Sequence, residues 1–537
     1  MKRAASKTAP ELVTNAAGRE VPTLVNGKKQ QPYAGVDGVP AKGRKAAPPI
    51  PSASDYPKSG DKRLPDLETA LRLCGLRDGM VVSNHHHLRN GDVIAVRMLE
   101  TAARMGIRDL MWFPSASFPS QESVIELMER GAVHHIEGSM NGPLGDYCTQ
   151  GRMRGMGVLR SHGGRWQAIQ DGEVHIDIAV IAAPTADTFG NANGAFGKSA
   201  CGSLGFALAD SMYAGKVIVV TDNLVPFPCV PAQIQGNHVD FVVEVDSIGD
   251  PTKIVSGTTQ ITRSPDRLRI ARLVAEFLRA AGIMRDGFSF QAGAGGIALA
   301  FVQYLRDMMK EAGVKARFVR GGSTQFLVDL LKEGLTDYIL DGQTFDLAGV
   351  QSIASDPRHI PTSPFTSYNF HGKGFYGQFV DAVVLGATEV DVDFNGNVVT
   401  HSDGRLLHGI GGWQNCLFSG CTILAVPSFR DRIPVIVDKV TTLTGPGELI
   451  DVVVTERGIA INPRRKDLID ATKGSKLPFR PIQEIQREVE GICGGKPQKP
   501  RLGDRPVAVV KWVDGSVLDT VWQVIGPVSN APSASAE

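Results

Sequence analysis

Apolar positions along the chain follow two different periods. The runs Ile176–Ala183 (IDIAVIAA), Lys216–Thr221 (KVIVVT), Val380–Leu385, Thr422–Val426 and Pro434–Val437 are short, β-branched and almost continuously apolar, which predicts strands buried on both faces. Ile94–Met105, Glu122–Arg130, Pro265–Ala281, Ala298–Ala312 and Gln325–Glu333 instead space their apolar residues as one face of a helix. Strands alternating with helices predict α/β architecture with largely parallel sheets. Near the end, Val507–Trp512 and Ser516–Val524 flank Asp514-Gly515, a signal for a hairpin with a two-residue turn.

The strand pattern occurs twice. Ile176–Asp187 (IDIAVIAAPTAD) and Val380–Asp391 (VDAVVLGATEVD) share a strand, an early Asp and an acidic turn, followed by Gly190–Gly194 (GNANG) or Asn395–Asn397 (NGN). Downstream, Lys216–Asp222 and Val239–Glu244 parallel Ile433–Lys439 and Ile450–Glu456; upstream, Glu122–Gly138 parallels Thr324–Gly342. Three blocks matched in the same order are more than isolated strands provide by chance. They predict two tandem copies of one unit, roughly 61–282 and 283–530, after a basic extended arm (1–60) and before a disordered tail (531–537). Ligand sites in such pairs are expected at the interface, at the carboxyl ends of strands.

Composition narrows the function classes. Of 537 residues, 57 are Lys or Arg and 56 Asp or Glu, which excludes a nucleic-acid binder working by bulk charge. The arm is the exception: residues 1–60 hold ten cationic side chains against four acidic ones, with eight prolines. No apolar run reaches the length of a membrane span, so a cytoplasmic protein is expected. Seven cysteines without any C-x-x-C spacing read as reduced thiols, not a disulfide framework or a zinc site, and no metal is expected. The 60 glycines exceed the usual share and point to close backbone approaches.

Two glycine clusters carry candidate chemistry. Gly293-Ala-Gly295-Gly296 runs from the strand at Phe288 into a helix, where backbone N–H groups can meet an anion or a developing oxyanion. It also fits G-x-G-x-x-A, and Arg317 and Arg320 follow at the next strand, so a NADP site is a second reading and a tight structural turn a third. Gly409-Ile-Gly411-Gly412-Trp413 permits close contact with a ligand on which Trp413 stacks, or is a glycine bulge beside a core Trp. His85-His86-His87-Leu88-Arg89-Asn90 follows a strand; consecutive histidines alternate in direction, which argues against a metal, whereas Arg89 is suited to clamp a carboxylate. Glu137-Gly138 and Asp341-Gly342 are equivalent acid–glycine turns at strand ends, each a candidate carboxylate for chemistry or a plain turn.

The ordered series His85–Asp92 (HHHLRNGD), Ser161–Arg165 (SHGGR), Gly190–Gly205, Thr221–Pro226 (TDNLVP), Phe288–Gln291 (FSFQ) and Gly458–Pro463 (GIAINP) resembles the citrate lyase alpha subunits of the CoA-transferase superfamily, from about residue 15 to 525. The resemblance implies two CoA-transferase-like (NagB/RpiA-like) α/β domains and exchange of acetyl for citryl on a thioester. The carrier would be CoA or an acyl-carrier (gamma) subunit with a CoA-derived group, beside a beta lyase subunit in an oligomer, with no cofactor bound covalently. Related enzymes use a glutamate nucleophile in a Glu-Asn-Gly turn. Here Asp341-Gly342-Gln343 stands in its place, implying that substrate carboxylate attacks directly through a mixed anhydride. The expected catalytic set is Asp341 with the N–H groups of Gly295, Gly296, Gly411 and Gly412. The expected substrate set is His86, His87, Arg89, Asn90, Asn191, Asn193 and Lys198; Gly293, Gly295, Gly296, Gly409, Gly411 and Gly412 would face the carrier. Two departures stand out: Trp413 and Asn415 where the family reads His and Asp, and Asn141 in place of an arginine. A CoA-transferase for another carboxylic acid is therefore the alternative, ahead of an NADP-dependent oxidoreductase or a non-catalytic carrier-binding scaffold.

Overall fold

A computed structural model describes residues 11–36, 38, 59–254 and 260–525. The tail expected at 531–537 and much of the arm lie outside these residues. The apolar runs form the interiors of two large sheets. The first has seven parallel strands in the order Arg63–Leu64, Phe241–Glu244, Lys216–Thr221, Ile178–Ala183, Val81–Asn84, Leu110–Pro114, Val133–Ile136. The second has eight: His359–Pro361, Ile339–Thr344, Ala316–Ser323, Phe288–Ala292, Ala382–Leu385, Thr422–Ala425, Val452–Thr455, Gly458–Ile461. Its strands are parallel except the last, which turns back antiparallel. Both sheets are buried on both faces, as the uniformly apolar runs require.

Read from Val133–Ile136 and from Ile339–Thr344, six successive strands have the same order and direction in the two sheets. The agreement extends to side chains. Asp177 accepts the N–H of Val81 at 2.7 Å, and Asp381 accepts that of Ser289 at 2.8 Å. After the next strand, Asp187 accepts the N–H and side-chain amide of Asn191, whose carbonyl accepts the N–H of Gly236. Asp391, Asn395 and Gly447 repeat these bonds. A three-stranded sheet accompanies each turn: Ala192–Asn193, Thr185–Asp187, Leu224–Val225 in one, and Gly396–Asn397, Glu389–Asp391, Ile436–Val437 in the other.

Local predictions differ from the structure where one residue overrides the period. The run Pro434–Val437 is split between Ile433–Pro434 and Ile436–Val437, since proline has no N–H to extend a ladder. The terminal hairpin, Leu502–Lys511 with Val517–Val524, is joined by five residues instead of two. Asp514 there accepts both the N–H and the hydroxyl of Ser516, and Gly515 takes φ +87°. The described part of the arm is not extended. It forms the hairpins Leu12–Thr14/Glu20–Pro22 and Leu24–Val25/Lys28–Lys29, with Asn15 donating to the carbonyls of Val517 and Leu518. The C-terminal hairpin in turn adds in parallel to Gly157–Leu159. No helix among the described residues is long and apolar enough to cross a membrane.

The Asp–Asn turns are dense in otherwise unpaired backbone donors. Asp391→Ala leaves the N–H groups of Asp393 and Asn395 without their acceptor and is expected to lower stability by about 2–3 kcal/mol. Urea unfolding followed by circular dichroism checks this, with Asp393→Ala as the near-neutral control.

Candidate functional site

The two sheets meet where the ends of Val81–Asn84 and Ile339–Thr344 approach each other. His86, just past the first strand, is buried; its Nδ1 lies 2.6 Å from Ser115 Oγ and its Nε2 3.1 Å from Gln343 Oε1, on the other sheet. Gln343 also donates to the His86 carbonyl at 3.4 Å. With Oε1 as acceptor, Nε2 carries the ring proton and Nδ1 accepts from the Ser115 hydroxyl. The imidazole ring stacks on His162 (centroids 5.5 Å apart) and packs on Phe206 at 4.7 Å. Burial, then the neighbouring His162, His87 and Arg89, hold His86 well below the usual histidine range. Burial and Arg165 bring His162 down to about 3. Both rings are therefore neutral hydrogen-bonding groups.

His85 and His87 point the other way and stack on each other at 5.6 Å, with His85 Nε2 3.0 Å from the Asp210 carboxylate. Arg165 pairs bidentately with the same carboxylate at 2.6 and 2.8 Å. Arg89, half-buried and in the left-handed region (φ +50°), lies over Phe345 at 4.7 Å and Phe118 at 5.4 Å. Burial lowers its pKa to about 10. Asn90 is half-buried beside it.

Asp341 does not open toward the junction. It is wholly buried, its oxygens accept from Ser323 N and Oγ, Gln343 N and Thr344 Oγ1, and His359 Nε2 stands 3.3 Å away. The side chain that reaches the other sheet is Gln343. Glu137, its counterpart, is likewise committed to Arg160 at 3.1 Å.

The glycines divide into two kinds. Gly293 and Gly295 are exposed, and a Cβ added at Gly295 would meet no described residue within 4 Å. Gly295 caps the helix Gly296–Ala312, while Gly296 is buried against residues 260–262. Gly409, Gly411 and Gly412 are packed. A Cβ on Gly409 would overlap Ser139 at 2.0 Å, and one on Gly412 would stand 2.8 Å from Tyr368 Oη; Gly411 takes φ +61° and accepts the N–H of His162. Trp413 is a core residue, its Nε1 donating to the Gly386 carbonyl and its ring against Gly396 and Gly445. Asn415 accepts the N–H of Gly163, and Asn141 accepts that of Gly409. The positions that depart from the family pattern thus hold the loop together from both sides.

Three expected residues lie away from this junction. Asn191 belongs to the Asp187 turn, Asn193 donates to the Pro231 carbonyl at 2.6 Å, and exposed Lys198 donates to the Asp246 carbonyl. Conversely, Gln343, His162, Phe206, Tyr368 and Arg320 converge on it without having been singled out for it. His162 and Gln343 were visible only as members of ordered motifs. Tyr368 arrives on the short helix Pro364–Tyr368, which no periodicity announces. Arg320 turns inward beneath the Tyr368 ring, centroid 4.6 Å away, rather than outward as a nucleotide-phosphate ligand would.

Residues 61–524 match the family model described as citrate lyase, alpha subunit. The citrate lyase alpha chain of Klebsiella pneumoniae is 41% identical over 475 residues, 88% of this chain and 93% of that one. That of Escherichia coli is 40% identical over 470 residues, 87% and 92%. A solved Streptococcus mutans chain, described as the alpha subunit of citrate lyase in complex with citrate, superposes with a TM-score of 0.91 at 38% identity, covering 95% of this chain and 100% of that one. An Acinetobacter baumannii malonate decarboxylase alpha subunit, 17% identical, shares the fold alone (TM-score 0.60, 83% and 91% covered).

Neutral buried imidazoles couple stability to pH. A histidine whose folded pKa lies below its unfolded value of about 6.5 contributes stability fully only above that value, and loses it as pH falls toward the folded pKa. Unfolding free energy should therefore be flat above pH 7 and fall below pH 6.5 by about 1.4 kcal/mol per pH unit for each such histidine. Urea unfolding between pH 5 and 8 tests this; His162→Asn should reduce the slope by one histidine's share.

Proposed function

The chain belongs to the citrate lyase alpha-subunit family and is a CoA-transferase-type enzyme, and on that premise we propose that it exchanges acetyl for citryl on a thioester carrier. The reaction is acetyl-carrier plus citrate giving citryl-carrier plus acetate. A citrate carboxylate oxygen attacks the acetyl carbonyl, the C–S bond breaks, and carrier thiolate and a mixed anhydride result. The thiolate then attacks the citryl carbonyl of the anhydride, and acetate leaves.

The observation carrying this reading is the saturation of Asp341. An enzyme-bound acyl intermediate needs a free carboxylate, and here four hydrogen bonds within a sealed site occupy it. The acid substrate must then be its own nucleophile, and the protein contributes positioning and oxyanion stabilisation. Asp341 is in this view a positioning residue that holds Gln343 against His86. Gly293 and Gly295 offer open backbone at the start of a seventeen-residue helix, where the thioester oxygen can be met by N–H donors. Gly409 and Gly412 serve by close packing on Ser139 and Tyr368, and Gly411 by a left-handed turn whose carbonyl accepts the His162 N–H. Arg89 supplies positive charge beside Phe345 for an anionic substrate.

A multisubunit complex goes with the family. We assign the carrier to a gamma-type acyl-carrier subunit bearing a CoA-derived group and the cleavage step to a beta-type lyase subunit, with free CoA thioesters as surrogate. A duplication of one α/β unit accounts for the matched strand order and for the repeated Asp177/Asp381 and Asp187/Asp391 bonding.

Incubating the purified chain with acetyl-CoA and citrate is expected to yield citryl-CoA and acetate; absence of exchange with citrate and with a panel of di- and tricarboxylates defeats the reading. A Cβ at Gly295 meets no described residue within 4 Å, so Gly295→Val should leave the melting temperature unchanged while lowering exchange by at least about tenfold.

A further inference from the structure

We propose that Arg320 anchors a non-reacting carboxylate of the acid substrate, in a buried subsite roofed by Tyr368, and so restricts the acids that attack the acetyl thioester to those with two or more carboxylates. The inference rests on the acyl-transfer reading above and deepens it by assigning this site's selectivity to one side chain.

Arg320 is 1% exposed, among the largest fully buried side chains of the described residues, and none of its three guanidinium nitrogens has a hydrogen-bond partner there. The other deeply buried arginines behave differently. Arg160 pairs with Glu137 and Glu173, and Arg165 with Asp210. Arg430 donates to the carbonyls of Ala387 and Thr388. Among the described residues Arg320 has only the Tyr368 ring as a polar or π partner, and a cation–π contact returns less than the desolvation of a charged group costs. A guanidinium left in this condition is set for an anion supplied from outside.

The surroundings narrow which anion. Arg320 pairs in register with Gln291 on the neighbouring strand Phe288–Ala292. Gln291 Nε2 lies 2.9 Å from Cys416 Sγ and 3.4 Å from Tyr368 Oη. Burial pushes the Tyr368 phenol up to about 12 and raises the Cys416 thiol as well, so both are neutral and Arg320 is the one charge of this cluster. A single negative charge balances it. The planar fork of a guanidinium matches the two oxygens of a carboxylate. Gly412, against Tyr368 Oη, and Gly411, which accepts the His162 N–H, connect this cluster to the His86–Gln343 junction. Two residues beyond Gln291, Gly293 opens the turn assigned to the thioester.

A carboxylate paired bidentately with Arg320 has its lone pairs engaged and is a poor nucleophile. The oxygen that attacks the thioester must then come from another carboxylate of the same molecule. A monocarboxylate seated on Arg320 has none to offer.

The test uses the full chain as wild type, Arg320→Met, Arg320→Gln and Arg320→Lys, with citrate, acetate and sulfate as probes. Citrate is expected to raise the wild-type melting temperature. Arg320→Met should melt no lower than wild type without ligand, because it removes an unpaired buried charge, and should lose the citrate-induced rise. In acyl exchange the KM for citrate should increase at least about tenfold while the KM for acetyl-CoA stays constant, with Arg320→Lys intermediate. If Arg320→Met does not fold, the same comparison is read from Arg320→Gln. An Arg320 variant that keeps the wild-type citrate KM and citrate-induced stabilisation overturns the assignment and leaves the transferase reading intact. Sulfate stabilising as strongly as citrate, and competing with it, overturns the carboxylate assignment in favour of a tetrahedral anion. Citrate binding that depends on Arg320 without any acyl exchange supports the anchor and removes the transferase reading.

Discussion

The architecture depends on joining two parallel sheets without leaving their polar ends unpaired. Strand ends carry backbone groups and turn side chains that water would ordinarily satisfy, and here those ends are turned toward each other. An imidazole is suited to the join because in its neutral form it both donates and accepts. His86 accepts a hydrogen bond from Ser115 and donates one to Gln343, crossing from one sheet to the other without importing charge. A lysine or carboxylate in its place would need a counter-ion in the same closed space. Burial keeps His86 uncharged, and being uncharged lets it remain buried.

The glycine excess turns out to serve two purposes. At Gly409 and Gly412 the absence of a Cβ lets the loop close onto Ser139 and Tyr368, so these residues shape the wall of the junction. At Gly293 and Gly295 it leaves room that no described residue fills closer than about 4 Å. Similar sequence patterns thus have opposite packing meanings, and only the neighbours distinguish them. Trp413 illustrates the same point: next to two glycines it looks like a stacking platform, yet its ring fills the space above Gly396 and Gly445.

Much of the scaffold was legible in the sequence because parallel strands buried on both faces announce themselves as apolar runs. The matching Asp–Asn turns were legible because the Asp and Asn of each turn are needed by the backbone. Lys216–Thr221 is a strand at its predicted limits, and Pro265–Ala280 a helix within one residue. Less of the candidate site could be read. Asn191 and Asn193 stand out as polar residues among glycines, but their donors and acceptors are consumed by Asp187, Gly236 and Pro231. Arg320 stood out only as a nucleotide-phosphate candidate and Tyr368 not at all, because their meaning lies in contact across 48 residues and in a charge with no hydrogen-bond partner among the described residues, which no local pattern records. The hairpins of the arm pair within themselves, but part of what they rest on, the carbonyls of Val517 and Leu518, lies at the far end of the chain.

That last arrangement bears on how the molecule comes into being. Asn15 is bound to the carbonyl of Leu518, 503 residues away, and Gly157–Leu159, bridged on one side to Glu137, pairs along its length with Leu502–Lys511. During synthesis Gly157–Leu159 emerges without its long ladder partner and Asn15 without the carbonyls it binds, although Asn26 can already meet Met156. Both wait until the last strands leave the ribosome. At elongation rates of about 5–20 residues per second that interval is tens of seconds, long enough for an exposed strand edge to find another chain. The early half is thus most vulnerable to aggregation before the closing hairpin arrives, and loss of the final strands would injure the first half of the molecule before the second.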